Sequence, residues 1–168
     1  HAQKNITKPN VPGPNDVSVN TYTGGLFYQR QDLFIPGRGL SIDLTFTYNT
    51  VSRERDWGLG RGWTFNYNLA YSFDSLDIVI EHMDGSRNRY LPNGSGGWYC
   101  PAGVFDSLEQ YQPNKFRLTR KDGMQYFFDE ANYKKLSRIQ DRNGNSVALT
   151  YTDSLLTAIT DPSGRQVQ

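Results

Sequence analysis

The residues of this chain whose types could do chemistry are a run of carboxylates, two histidines and one cysteine. Asp74, Asp77, Glu81 and Asp84 stand close together, and paired carboxylates hydrolyse glycosides when they flank one bond. The same residues cap turns and line a wet strand face equally well. His82 lies beside Glu81, but His1 is remote and Cys100 has no second thiol. The sequence therefore spells out neither a tetrahedral zinc set nor a Cys–His nucleophile. Cys100, between Tyr99 and Pro101, reads as a small half-buried thiol. The oxygen-rich stretch Asp141 to Asn145 lacks the acidic density of a dedicated calcium site. Gly58, Gly60 and Gly62 lead into Trp63 and a strand, whereas a phosphate cradle needs a helix N-terminus. No catalytic residue, metal ligand or cofactor-binding residue is assigned, and no enzyme is expected.

Four aromatic residues are the candidate ligand-facing groups. Trp57 and Trp63 flank the glycines at 58, 60 and 62, which free the backbone for positive φ beside a ring. That arrangement makes a packed corner or an aromatic platform. Trp98 and Tyr99 sit in an expected glycine-rich loop from Pro92 to Gly103, where they serve a glycan or protein ligand or plug a sheet edge.

The elements that must position these residues are strands. Tyrosine, phenylalanine and glycine are abundant and methionine is scarce, a bias that favours sheets. Leu40, Ile42, Leu44, Phe46 and Tyr48 alternate with polar residues, giving one buried and one wet face. Phe65, Tyr67, Leu69, Tyr71 and Phe73 predict a second long strand. Thr23 to Gly25 mark a turn, and Asp84-Gly85 and Asp122-Gly123 mark hairpins. No segment has convincing helical periodicity. The expected fold class is all-β, with antiparallel hairpins stacked into a curved, spiralling sheet and almost no helix.

Eighteen basic residues against seventeen acidic ones leave a net charge of +1, interspersed along the chain. No nucleic-acid partner follows from that balance, and no apolar run reaches the roughly 20 residues of a spanning helix. The single cysteine rules out an intrachain disulfide. Ala2, Gln3, Lys4 and Asn5 read like the start of a mature exported chain, so a secreted or cell-surface location is expected.

Near the C-terminus the sequence repeats itself. Leu136, Ile139, Asp141, Gly144 and Val147 recur as Leu156, Ile159, Asp161, Gly164 and Val167. A fixed period of this kind marks a repeat architecture whose units bury their apolar faces against one another. Gly85, Gly123, Gly144 and Gly164 are the structural turn residues. Three segments are expected: a disordered lead-in arm at 1–16 carrying Pro9, Pro12 and Pro14, a β domain at 17–130, and about two repeat units at 131–168.

Leu136 to Thr152, reading L-S-R-I-Q-D-R-N-G-N-S-V-A-L-T-Y-T, resembles the repeat of bacterial RHS or YD-repeat proteins, which teneurins share. Thr23 to Asn49, with Gly24, Asp32, Leu33, Pro36, Gly37 and Thr47-Tyr48-Asn49, is similar to the segment preceding the repeats, as is the Gly58, Gly60, Gly62, Trp63 cluster. The chain departs from the pattern at Phe46, where a basic residue is usual. It departs again at Lys134-Lys135 and Ser154-Leu155, where the family has glycine-arginine, and in spreading its Tyr-Asp as Tyr151, Thr152, Asp153. The resemblance implies a structural module at the N-terminal wall or cap of a β shell that encloses or presents a C-terminal effector. Its partners would be the remainder of a larger polypeptide and that effector. An extracellular glycan- or protein-binding module using exposed aromatics is the alternative.

Overall fold

The computed structural model describes residues 10–12, 17–20, 25–83, 85–129 and 133–168. His1, Ala2, Gln3, Lys4, Asn5, Pro9, Pro14, Thr23, Gly24 and Asp84, named above, lie outside them. The chain is all-β, as its composition predicts, with a short 3-10 turn at Thr50–Ser52. Strands β1 (Asn10–Pro12), β2 (Val17–Asn20), β3 (Leu26–Ile35), β4 (Ile42–Asn49) and β5 (Trp63–Phe65) form a five-stranded antiparallel meander. Part of the segment expected to be an arm is thus a strand, because Val11 pairs with Val19 at the sheet edge. Edge pairing also tolerates Pro12.

The second sheet begins with β6 (Ala70–Asp74), β7 (Asp77–Glu81), β8 (Arg87–Pro92) and β9 (Gly97–Tyr99). It continues through β10 (Ser107–Gln112), β11 (Lys115–Thr119), β12 (Gln125–Asp129) and β13 (Lys135–Gln140). Each strand pairs antiparallel with the next, and β13 returns to β6. The result is a closed up-and-down barrel. Its seam is the Ala70–Lys135 pair, flanked by Tyr71 N–H donating to Lys134 O and Leu136 N–H to Leu69 O, both 2.9 Å. From β13 the sheet also runs outward through β14 (Ser146–Thr152), β15 (Leu155–Thr160) and β16 (Gln166–Val167). Pairing is continuous from β12 to β13, so the sheet does not divide at residue 130. The two sheets instead separate between Phe65 and Ala70.

A barrel of about eight strands has an interior just wide enough for side chains to fill. Tyr71, Ile78, Ile80, Tyr90, Phe116 and Phe128 are all buried here, with ring centroids 4.8 Å apart for Tyr71–Phe116 and 5.5 Å for Trp98–Phe116. One strand expectation and one loop expectation need correcting. The alternation from Phe65 to Phe73 is broken by a turn at Asn66–Asn68, where Asn66 Nδ2 donates to Asp43 O (2.6 Å). The stretch from Pro92 to Gly103 is no plain loop, because Gly97–Tyr99 forms β9 and seats Trp98 inside the barrel.

The repeat is a hairpin with a fixed register. Ile139 pairs with Val147 in one unit and Ile159 with Val167 in the next. In both turns one carboxylate organises the backbone. Asp141 Oδ1 accepts from the N–H groups of Asn143 and Asn145 (2.8 and 2.9 Å), and Asp161 Oδ1 from those of Ser163 and Arg165 (2.8 and 2.9 Å). The glycine then takes positive φ, 85° at Gly144 and 84° at Gly164. At the other ends of the strands, Lys134 (φ 61°) and Ser154 (φ 65°) hold the left-handed conformation that favours glycine. The two turns therefore carry a steric cost. Ser154→Gly is expected to raise stability by about 0.5–1 kcal/mol, read as a higher urea midpoint.

Asp161 also ties the two sheets together. Its side chain is 0% exposed and accepts from the Arg165 guanidinium at 2.6 Å, while Arg165 Nη2 donates to Pro36 O (2.5 Å) in the first sheet. Burial pushes the Asp161 carboxyl up, but the Arg165 and Ser163 N–H groups and the guanidinium outweigh it and hold it below the usual carboxylate range. A carboxyl lowered on folding stabilises the protein above its unfolded pKa and loses that contribution as pH falls through the folded value. Stability should therefore fall below about pH 4. In Asp161→Asn the acid limb should be shallower, as measured by urea unfolding across pH 2–7.

Candidate functional site

Among the described residues, a concavity lies between the two sheets. Alternation along β4 and β5 turns Leu44, Phe46 and Phe65 toward the outward strands, which answer with Tyr151, Leu156 and Val167. Together they line an apolar groove of ≈ 360 Å³. A more polar recess of ≈ 280 Å³ adjoins it, lined by Trp57, Asn68, Glu81, Lys135 and Ser154 among others. Trp57, Asn68, Lys135 and Ser154 line both, so the groove has an apolar body and a polar end.

Lys135 is the one charged side chain lining the apolar part among the described residues. Its Nζ donates to Ser154 O (2.7 Å) and stands 5.7 Å from the centre of the Tyr151 ring. No carboxylate pairs with it among the described residues, and burial lowers its pKa. Tyr151 donates its hydroxyl to Leu136 O (2.9 Å), and burial pushes that phenol up.

Glu81 anchors the recess. Oε1 accepts from Arg55 Nη1 (2.8 Å) and Trp57 Nε1 (3.0 Å), and Oε2 from Arg87 Nε (2.8 Å). One barrel carboxylate thus clamps the 53–62 loop from the first sheet. Its neighbours do not converge with it on a single point: Asp74 and Asp77 pair with Arg89 on the outer face. Glu81→Gln should free the loop, and trypsin should cut at Arg53, Arg55 or Arg61 several-fold faster than in the parent chain. Equal cleavage rates would count against the clamp.

The four candidate aromatics are not brought together. Trp57 lines the groove, whereas Trp63 packs against Tyr28 and Tyr48, with ring centroids 6.0 and 5.4 Å away. Trp98 lies against Phe116 in the barrel, and Tyr99 points outward at 63% exposure beside Leu91. His82 Nε2 and Asn88 Nδ2 are 3.0 Å apart. The Cys100 thiol donates to Asp106 O, and burial pushes its pKa up, away from nucleophilic character. Among the described residues no group of three or more His, Cys, Asp and Glu side chains is placed to hold a metal ion. Sequence reasoning missed Lys135 as a groove residue, since its only signal was its departure from the repeat pattern.

Comparison with known proteins adds two findings. Residues 17–90 match a domain of unknown function, DUF6531. The chain is also 32% identical over 136 residues to the tRNA nuclease WapA of Bacillus subtilis (strain 168). It matches to the same extent the tRNA3(Ser)-specific nuclease WapA of Bacillus spizizenii and the tRNA(Glu)-specific nuclease WapA of Bacillus subtilis subsp. natto. The match covers 80% of this chain but 6% of each relative. These names correct the expectation that no enzyme is involved, because all three relatives are named for cleaving RNA.

Proposed function

We propose that this chain is a β-structured segment of a much longer toxin-type, RNA-cleaving polypeptide of the RHS/YD-repeat class, in which it forms the N-terminal wall or cap of a β shell. Nuclease activity is a property of that whole polypeptide, of which the chain corresponds to a small part. The observation that carries the reading is the strip β14–β16. It leaves a closed barrel as hairpins of identical register, which is the way a wall is extended by adding like units. The rest of the polypeptide and an enclosed effector are its partners. Delivery of such an effector calls for export, which fits a secreted or surface location. No helix among the described residues is long and apolar enough to cross a membrane.

The adhesion alternative has less support, since only Tyr99 of the four aromatics is largely exposed and a single ring makes no platform. Electron microscopy of the parent polypeptide with an antibody fragment bound to this segment tests the proposal. The fragment should mark one end of a closed shell. A label on an open, extended particle would overturn the reading.

A further inference from the structure

We propose that the groove between the sheets binds a single-chain amphiphile with an anionic head, of the class of a free medium-chain carboxylate, its tail between the two apolar faces and its head at Lys135. The inference is independent of the shell reading and stands on three observations.

The first is unfilled space where a sandwich would have a core. Facing sheets pack about 10 Å apart with side chains interdigitated. Here Phe46 and Phe65 on one side and Tyr151, Leu156 and Val167 on the other leave ≈ 360 Å³ between them. That volume falls within the range of small-ligand pockets, which are mostly apolar with a few placed polar groups.

The second is charge. Lys135 is the only charged side chain lining the apolar part among the described residues, and the carboxylate opposite it in the β12–β13 ladder, Asp129, pairs with Lys115 (3.2 Å). Both carboxylates lining the recess are already engaged, Glu81 by Arg55, Arg87 and Trp57, and Asp56 by the N–H groups of Gly58 and Gly60. A half-buried ammonium without a counter-ion is stabilised by an incoming anion, and such a charge-assisted bond is stronger than a neutral one. The ammonium's one hydrogen bond, to Ser154 O, leaves N–H donors to serve a carboxylate.

The third is length. The groove crosses the strands from β13, which carries Lys135, to β16, which carries Val167. Three strand spacings make roughly 14 Å. Decanoate in extended form has about that reach. A polar or doubly charged ligand would strand its second polar group among Leu44, Phe46 and Leu156.

Isothermal titration with decanoate below its micellar concentration tests the proposal on the whole chain. Saturable one-to-one binding is expected, with decyltrimethylammonium failing to compete. Lys135→Met keeps the apolar stem and removes the charge, and should weaken binding about ten- to a hundredfold. Leu155 stands at the rim with 59% exposure, so Leu155→Glu leaves the core intact and should also weaken binding by placing a negative charge at the mouth. Leu76→Glu, on an exposed turn that does not line the groove, should bind like the parent chain. Absence of saturable binding, equal affinity for the cationic analogue, or unchanged affinity in Lys135→Met would each overturn it. So would equal losses in Leu76→Glu and Leu155→Glu, which would mark non-specific adsorption.

Discussion

Phe116→Ala is expected to lower the unfolding free energy by about 3–5 kcal/mol. Phe116 is 2% exposed and its ring meets Tyr71, Trp98 and Phe73 at centroid distances of 4.8, 5.5 and 5.9 Å. Removing it leaves a hole inside a ring of paired strands. Those strands cannot collapse inward without breaking their hydrogen bonds, so the cavity persists and the cost sits at the upper end for a large-to-small change. Phe105→Ala supplies the contrast, because Phe105 is 76% exposed and its loss should change stability by no more than about 0.5 kcal/mol. Urea denaturation of both variants decides the matter. A Phe116→Ala loss below about 1 kcal/mol would mean that the barrel can relax around the missing ring.

Gly62→Val should cost about 2–4 kcal/mol. Gly62 has φ 78°, which a β-branched residue resists, and its N–H and C=O are committed to Arg55 O (2.8 Å) and Asn49 N–H (3.0 Å). A Cβ there would meet the Tyr48 ring at 2.9 Å and Asn49 O at 3.2 Å. The backbone can neither change its conformation nor move away. Gly164 has the same φ sign, but a Cβ there would meet nothing within 4 Å, so Gly164→Ala should cost only about 1–2 kcal/mol. Thermal unfolding of the pair separates conformational strain from crowding.

Local features of the fold were legible because their causes are local. Asp141 to Asn145 and Asp161 to Arg165 announce their turns through a carboxylate that accepts nearby N–H groups and a glycine that supplies positive φ. The twenty-residue echo announced two hairpins in one register. The barrel was not legible, because its closure joins Ala70 to Lys135, distant in sequence, through a seam that no pattern around either residue marks. The groove was hidden for the same reason. Leu44 and Phe46 show which face of β4 is apolar, but not that Tyr151 and Leu156 stand opposite them. Trp98 misled through its neighbours, since the glycines around it suggest a loop while its ring belongs to the barrel interior.

The seam has a consequence for the order of events during synthesis. Along one edge, β13 gives its first residues to β6 and its later residues to β14, so ring and strip share a single strand. Contacts distant in sequence form late because the intervening loop must first close. Here that intervening segment is itself a run of hairpins that fold locally and shorten the gap. The ring can therefore shut as soon as β13 leaves the ribosome, before the rest of the strip exists. The strands β14, β15 and β16 then meet a finished edge whose register is already set.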